Sequence, residues 1–146
     1  MSPTRVIVVG LGPAGVDLLL PIARSEISRV PVRFARTGRH PAVVELEAEG
    51  FAFETFDAAY DAAADFDSLY QSIVASLLAA ATEHGEIVYA VPGNPGVAER
   101  TVPLLLAAAG AGVDVTVVPG LSFVDLAWTR LGRDPMRHSR CERVLR

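Results

Sequence analysis

Three short segments rich in β-branched residues, each ending at a glycine turn, do most to restrict the fold of this chain. Each segment is followed directly by its turn: residues 6–9 by Gly10, residues 87–91 by Pro92 and Gly93, and residues 113–118 by Pro119 and Gly120. Such runs are typical of parallel strands that are covered on both faces. The glycine permits the tight turn by which a strand passes into the next helix. The sequence therefore predicts a buried parallel sheet.

Segments of helical periodicity alternate with the strands. Helices are predicted at residues 17–28, 41–49, from Asp67 or Ser68 to Gly85, 97–109 and 122–131, and two further strands at residues 31–35 and 51–56. Pro21 is expected to bend the first helix or to delay its start, because proline lacks an amide hydrogen. Repeated strand–helix units specify right-handed crossovers. The expected fold is an α/β, three-layer domain with a five-stranded, mainly parallel sheet flanked by helices.

The ends of the strands indicate where a ligand would bind. In open α/β sheets the ligand lies beyond the carboxyl ends of the strands. Glycine-bearing loops follow three of the predicted strands, at residues 10–15, 92–95 and 119–122. Because the carboxyl ends of parallel strands share one edge of the sheet, we expect these loops to converge there.

The composition excludes several kinds of chemistry. All 13 basic residues are arginine, so the chain has no lysine for a Walker-type phosphate loop, a Schiff base or a general base. Cys141 is the only cysteine, which excludes an intramolecular disulfide and a zinc site built from thiolates. The net charge of -4 does not favour a nucleic-acid binder. No apolar stretch reaches the roughly 20 residues of a membrane span, and we expect a soluble, cytoplasmic protein.

The first loop, residues 10–15 (GLGPAG), fits the G-x-G-x-x-G pattern of dinucleotide-binding folds. In those folds an acidic residue about 20 positions further on binds the ribose. At the corresponding strand end this chain has Arg36, which suits a 2′-phosphate better than a ribose hydroxyl. A nicotinamide or flavin site is therefore one interpretation, and a glycine turn without a ligand is the other.

The second loop, residues 92–95 (PGNP), is stiffened by two prolines and exposes its main-chain N–H and C=O groups. Such a loop can hold an adenosine or methionine group through main-chain hydrogen bonds. It can equally be a rigid start to the next helix, where proline is common. The loop alone does not decide between these interpretations.

Other polar residues have both a functional and a structural interpretation. Asp57, Asp61 and Asp65 recur every four residues, a spacing that suits either a hard cation or a solvated acidic face. Three arginines near a strand end could bind an anionic substrate or neutralise the acidic segment: Arg33, Arg36 and Arg39. No histidine spacing supports a metal site, and all three histidines are expected at the surface: His40, His84 and His138.

Five motifs in order resemble the tetrapyrrole methylase family, and most closely the methylase-like N-terminal domain of MazG-type nucleoside triphosphate pyrophosphohydrolase fusions. The motifs are VGLGP at residues 9–13, RT at 36–37 with HP at 40–41, TFDAAY at 55–60, VYAVPGNP at 88–95 with VAE at 97–99, and PGLSF at 119–123. One such motif would carry little weight, but five in sequence order are specific. The resemblance extends from residue 6 to about residue 135.

This resemblance implies an S-adenosylmethionine-dependent methyltransferase with a cleft between two α/β domains. It implies cofactor contacts from the second and third loops: Pro92, Gly93, Asn94, Val97, Leu121 and Ser122. On the substrate side it implies three further residues: Gly12, Pro13 and Arg36. Family methylases often carry Asp where this chain has Asn94, so Asn94 does not supply the carboxylate of those enzymes. No catalytic residue or metal ligand is assigned, because the sulfonium of the cofactor already carries a reactive methyl group.

The resemblance also implies a domain organisation. Residues 1–118 would form the methylase-like N-terminal domain, residues 119–135 a linker with the first helix of a mostly missing second domain, and residues 136–146 a tail. The chain would then be a C-terminally truncated piece of a MazG-type fusion that acts on a small-molecule or tetrapyrrole-like substrate. An apolar face exposed by the missing domain favours a homodimer. Two other functions stay open: a non-catalytic ligand-binding or regulatory module attached to a nucleotide pyrophosphohydrolase, and an NAD(P)- or FAD-binding domain.

Overall fold

The computed structural model describes residues 3–110 and 112–136, and its centre is a sheet of five strands. The strands are β1 (Thr4–Gly10), β2 (Arg33–Ala35), β3 (Glu54–Thr55), β4 (Glu86–Val91) and β5 (Val113–Val118). Their order across the sheet is β3-β2-β4-β1-β5, and every neighbouring pair is parallel. The prediction of a five-stranded parallel sheet is confirmed.

Helices follow the strands along the described part of the chain. They are α1 (Pro21–Arg29), α2 (Pro41–Ala48), α3 (Asp57–Ala62), α4 (Phe66–His84), α5 (Thr101–Ala108) and α6 (Phe123–Leu131). A single 3-10 turn, Val16–Leu18, lies between β1 and α1.

Strand β1 separates two apolar cores, because successive side chains of a strand point to opposite faces of the sheet. Ile7 and Val9 belong to the core formed with α1 and α2. Val6 and Val8 belong to the core formed with α4 and α5. All four side chains are at most 3% exposed. The sheet is therefore covered on both faces, which confirms the three-layer architecture.

Helices α1 and α4 begin at residues that differ from the prediction. α1 begins at Pro21 rather than at residue 17, because the fixed φ of proline suits the first position of a helix. Asp65, rather than Asp67 or Ser68, caps α4, and its Oδ1 accepts the Ser68 N–H at 2.9 Å. Pro21 thus delays the first helix, which is one of the two outcomes expected for it.

The loop of residues 92–100 delays the start of α5 to Thr101, where the prediction placed it at residue 97. Ala98 in this loop has a φ of 55°, in the left-handed region that residues with a Cβ rarely adopt. A residue in that conformation cannot continue a right-handed helix. The predicted strand at residues 51–56 is likewise reduced to Glu54–Thr55, and the short helix α3 that follows it was not predicted.

The last described helix, α6, begins with a capping box. The Ser122 N–H donates to Asp125 Oδ2 at 2.8 Å, and the Ser122 hydroxyl accepts the Asp125 N–H at 3.4 Å. No residue of α6 is buried, and Phe123 and Leu131 are 64% and 66% exposed. Within the described ranges no helix has the length and apolar content needed to cross a membrane. Apart from Met136, the predicted tail lies outside the described residues.

Candidate functional site

A short antiparallel bridge joins the loops after β1 and β4 at the carboxyl edge of the sheet. The Gly12 N–H donates to the Gly93 carbonyl at 3.2 Å, and the Gly93 N–H donates to the Gly12 carbonyl at 2.9 Å. The Leu11 N–H donates to the Val91 carbonyl at 2.8 Å and connects this bridge to the sheet. Pro13, predicted with Gly12 on the substrate side, follows the bridge and is half-buried. Two loops that are distant in sequence therefore form one continuous surface.

The loop after β5 reaches the same place, and the three loops meet backbone to backbone. A Cβ atom built on Gly10 would lie 2.5 Å from the Gly93 carbonyl oxygen and 2.7 Å from the Gly120 Cα. A Cβ atom on Gly120 would lie 2.9 Å from the Gly10 Cα and would also collide with the Gly93 oxygen. Only glycine permits so close an approach. The loops converge as expected, and we call this contact the glycine floor (Gly10, Gly12, Gly93 and Gly120).

Asn94 shapes the loop that leaves the glycine floor. Its Oδ1 accepts the Gly96 N–H at 2.8 Å, and its carbonyl accepts the Val97 N–H at 3.0 Å. Val97 is 41% exposed, and Pro92 and Asn94 are half-buried. Within residues 3–110 and 112–136, the Asn94 N–H donates to no acceptor. These three predicted cofactor residues therefore offer a main-chain donor and accessible apolar surface.

The other predicted cofactor residues, Leu121 and Ser122, directly follow Gly120 and lie near Gly93. A Cβ atom built on Gly93 would lie 3.8 Å from both the Leu121 carbonyl oxygen and the Ser122 Cα. Leu121 is 36% exposed, whereas Ser122 is buried and its hydroxyl caps α6. The Leu121 N–H makes no hydrogen bond within the described part of the chain. Leu121 and Ser122 thus contribute main-chain groups and an apolar side chain, and the Ser122 hydroxyl is already occupied.

Arg36, predicted on the substrate side, forms an ion pair with a buried carboxylate. Its Nη1 donates to Glu99 Oε2 at 2.7 Å, and the Glu99 side chain is only 2% exposed. Glu99 Oε1 accepts the Thr101 hydroxyl at 2.7 Å, and that hydroxyl lies 3.2 Å from the hydroxyl of Tyr89. Glu99 belongs to the sequence motif at residues 97–99, but no role was predicted for it. Its partner is 63 residues away, so no local spacing could have revealed the pair.

His40 is buried, which corrects the prediction that it lies at the surface. Its Nδ1 accepts the Ala42 N–H at 3.2 Å, and its Nε2–H donates to the Gly12 carbonyl at 3.0 Å. These two bonds require the neutral ring with its proton on Nε2. Burial holds the pKa of His40 below its ordinary value. His84 is exposed as predicted, and His138 lies outside the described residues.

The lowered pKa of His40 predicts that the domain is less stable in mild acid. The unfolded chain binds a proton near pH 6.5 while the folded chain still excludes it. The stabilisation is therefore complete above about pH 6.5 and is lost progressively as the pH falls from there to the lower, folded-state pKa of His40. Urea unfolding between pH 5 and 7.5 should show a steeper dependence for the wild type than for His40→Asn. The exposed His84 provides the matched control, His84→Asn, and equal slopes in all three proteins would contradict the prediction.

The acidic residues near Arg36 form hydrogen bonds and an ion pair with neighbouring residues. They border a cavity of about 230 Å³ lined by Arg36, Thr37, Arg39, Asp57, Tyr60 and Asp61. Hydrogen bonds from the Thr37 hydroxyl and the Gly38 N–H hold the pKa of Asp57 below its usual range. Asp61 pairs with Arg39 at 3.6 Å. The described residues contain no group of three or more His, Cys, Asp or Glu side chains that could hold a metal ion.

An acidic side chain closes the far end of the first loop. Glu45 Oε2 accepts the Val16 N–H at 3.1 Å, and a Cβ atom built on Gly15 would lie 2.5 Å from Glu45 Oε1. The chain then forms the single turn Val16–Leu18 instead of a helix. In dinucleotide-binding folds this position is a helix N-terminus whose amides bind pyrophosphate. Here the Glu45 carboxylate already accepts the Val16 N–H, and its negative charge would repel a phosphate.

Comparisons with known proteins agree with this architecture. Residues 5–145 match the family described as tetrapyrrole (corrin/porphyrin) methylases. The uncharacterized protein YabN of Bacillus subtilis (strain 168) is 36% identical over 133 residues, which are 90% of this chain and 27% of that protein. A uroporphyrin-III C-methyltransferase from Thermus thermophilus has a TM-score of 0.65 and 25% identity, over 84% of this chain and 49% of that one. The chain thus spans about a quarter of the curated relative and about half of this solved structure.

Two further solved structures are similar. A Thermus thermophilus uroporphyrin-III C-methyltransferase complexed with S-adenosyl homocysteine has a TM-score of 0.56 and 25% identity, over 81% of this chain and 48% of that one. A precorrin-6Y methylase from Archaeoglobus fulgidus has a TM-score of 0.64 at 19% identity, over 91% of this chain and 61% of that one, and shows the fold alone. Because the family match covers nearly the whole chain and the five-stranded sheet agrees with it, this chain belongs to the tetrapyrrole methylase family.

Proposed function

We propose that this chain is the methylase-like part of an S-adenosylmethionine-dependent methyltransferase and binds that cofactor over the glycine floor. The observation that carries the proposal is the pair of hydrogen bonds between Gly12 and Gly93, which joins two loops at the edge where α/β sheets bind ligands. S-adenosylmethionine is the methyl donor of the family, and one solved neighbour holds S-adenosyl homocysteine. The dinucleotide interpretation has less support, because Glu45 occupies the amide that a pyrophosphate would need.

The residues around the floor fit this cofactor chemically. The Asn94 and Leu121 N–H groups are donors without acceptors in the described part of the chain, and they suit the acceptor atoms of an adenine ring or a carboxylate. Val97 and Leu121 supply exposed apolar surface for the remainder of the molecule. When bound, the sulfonium supplies an electrophilic methyl group. The residues of this chain would bind and orient the two reactants, and we assign no acid or base among them.

On the acceptor side we propose that Gly12, Pro13 and Arg36 face a small-molecule or tetrapyrrole-like substrate. Gly12 lies on the floor itself, and Arg36 keeps about a third of its side chain exposed although it is ion-paired. A uroporphyrin is the substrate named for one solved neighbour. A carboxylate-bearing acceptor would meet the guanidinium at the open side of the pair.

We also propose that the chain belongs to a longer protein of the MazG fusion type. The match to YabN supports this, since it accounts for only 27% of that protein. Residues 1–118 would then be its methylase-like domain and residues 119–135 the start of the next one. A non-catalytic module that binds the cofactor or a nucleotide for regulation is the alternative. A methyl-transfer assay on the longer protein would separate the two functions, because only an enzyme would release S-adenosyl homocysteine.

Isothermal titration with S-adenosylmethionine, S-adenosyl homocysteine and NADPH tests the proposed site. We expect the first two ligands to bind and NADPH not to bind. Gly93→Ala should weaken binding at least tenfold, since its φ of 66° is unfavourable with a Cβ and the new methyl group would point towards Leu121. Gly85→Ala is the matched control: its φ of 83° is similarly strained, but the position has open space at the opposite edge of the sheet. Binding of NADPH alone would contradict the proposal.

We further propose that the chain forms a homodimer through the surface around α6. Phe123 and Leu131 on this helix are mostly exposed, and Leu121 lies just before it. Apolar side chains that remain exposed together favour self-association. Sedimentation velocity at micromolar concentration should show a dimer that Phe123→Ser weakens. A monomer in the wild type would contradict this expectation, and exposed Ile22→Ser on α1 is the control.

A further inference from the structure

The loop of residues 92–100 is fixed at two points. Near its start, the Gly93 N–H and carbonyl bond to Gly12. Near its end, the Glu99 carboxylate is buried and receives hydrogen bonds from Arg36 and Thr101. Between these points the loop bonds only to itself in the described part of the chain, through the carbonyl and side chain of Asn94. Its conformation therefore depends on both fixed points.

The two oxygens of Glu99 have separate partners. Oε2 accepts from Arg36, which follows β2, while Oε1 accepts from the hydroxyl of Thr101 at the start of α5. The Thr101 hydroxyl has one hydrogen and gives it to Glu99, so the contact at 3.2 Å with Tyr89 requires the Tyr89 hydroxyl to be its donor. Both Glu99 oxygens thus accept a hydrogen bond, and the Arg36 guanidinium supplies the counter-charge. A carboxylate so deeply buried is stable only when it is paired.

The residue before Glu99 shows that the loop is held under strain. Ala98 has a φ of 55°, a left-handed conformation that is unfavourable for a residue with a Cβ. Such conformations persist only where the surrounding contacts determine them. The contacts available here are the Asn94 turn on one side and the Glu99 pair on the other.

We infer that Glu99 and Arg36 act together as a positioning pair that holds residues 94–98 in the conformation that presents the Asn94 N–H to the cofactor. This role rests on the proposed function, and it differs from direct contact between Arg36 and a substrate. Arg36 would act on the ligand through Glu99 and the loop. Within the described residues neither side chain hydrogen-bonds to the glycine floor or to Asn94, so the pair acts on the Asn94 N–H through the loop.

Amide hydrogen exchange tests this role without a ligand. The Gly96 and Val97 amides bond to Asn94 within the loop, and the Gly93 amide bonds to Gly12 outside it. In Glu99→Gln and Arg36→Met we expect Gly96 and Val97 to exchange at least tenfold faster and Gly93 to be unchanged. The double variant removes both charges and therefore leaves no unpaired carboxylate in the interior. It allows the same measurement where a single variant fails to fold. Unchanged exchange at Gly96 and Val97 in the double variant would overturn the inference.

Binding of S-adenosyl homocysteine then distinguishes a positioning role of the pair from direct contact between Arg36 and the cofactor. We expect each single variant and the double variant to raise the Kd by a similar factor of about ten, since residues that act as one unit are not additive. Arg39→Met is the matched control, because it removes an arginine from the same cavity but breaks an exposed ion pair, with Asp61, rather than a buried one. A loss of affinity in Arg36→Met without one in Glu99→Gln would overturn the inference. A wild type that binds no cofactor would refute the proposed function, and the exchange rates would still decide the role of the pair.

Discussion

Gly10→Ala is expected to lower the free energy of unfolding by about 3 kcal/mol, at the upper end of the usual range for overpacking. The added methyl group would lie 2.5 Å from the Gly93 carbonyl oxygen and 2.7 Å from the Gly120 backbone nitrogen. Both are backbone atoms of tightly held loops, so neither can turn aside as a side chain could. A decrease of about 6–12 °C in the melting temperature, measured by circular dichroism, would correspond to this loss.

Gly96→Ala is the control for crowding in the same group of loops. Its φ is outside the left-handed region, and its new methyl group would lie 3.3 Å from one side-chain oxygen, that of Asn94. We expect a change within about 0.5 kcal/mol of zero. If Gly10→Ala were as stable as Gly96→Ala, the three loops would not be in the close contact described for the glycine floor.

Tyr89→Ala should cost about 4 kcal/mol of stability, the usual cost of removing a large buried aromatic side chain. Tyr89 is fully buried in the central strand β4, opposite Val8 of β1 and Phe34 of β2. Its ring and that of Phe56 are nearly perpendicular, with their centroids 6.0 Å apart. Truncation would leave a cavity between the sheet and the helices on that face. Urea denaturation would measure the effect.

Tyr89→Phe separates the ring from the hydroxyl. It retains the ring and removes only the donor to Thr101, so we expect a loss of about 1 kcal/mol. A Thr101→Val change should add a further loss to Tyr89→Phe, because the Thr101 hydroxyl also donates to the buried Glu99 carboxylate and the valine side chain cannot. Equal losses in Tyr89→Ala and Tyr89→Phe would show that the hydroxyl, rather than ring packing, dominates at this position.

The fold could be predicted from the sequence because its main signals are local. Buried parallel strands such as β1 and β4 contain continuous apolar runs, and Pro21 and Gly85 mark the start and end of helices. The prediction was wrong where tertiary contacts prevailed over local preference. Residues 97–100 have helical periodicity but form part of a loop, because Ala98 is held in a left-handed conformation and Glu99 is buried against Arg36.

The candidate site could be predicted only in part. Its glycines and prolines are visible as turn residues, and the rule that parallel strands end at one edge placed them together. The polar partners were not visible. His40 resembles a surface histidine in the sequence, and only the fold brings the Gly12 carbonyl to its Nε2. Its position directly before Pro41, at the start of a helix, was the one available signal for the bond to the Ala42 N–H.

The glycine floor also determines which parts of the site can adapt to a ligand. Its loops touch through main-chain atoms with no side chain between them, so no rotamer change can absorb a displacement of one loop. A shift in one of them must carry the other two with it and bend the ends of β1, β4 and β5. Adjustment to ligands of different shape must therefore come from the side chains around the floor, such as Val97 and Leu121, which are exposed and can rotate. Evolution of a new specificity in this domain would accordingly begin with substitutions at those two positions.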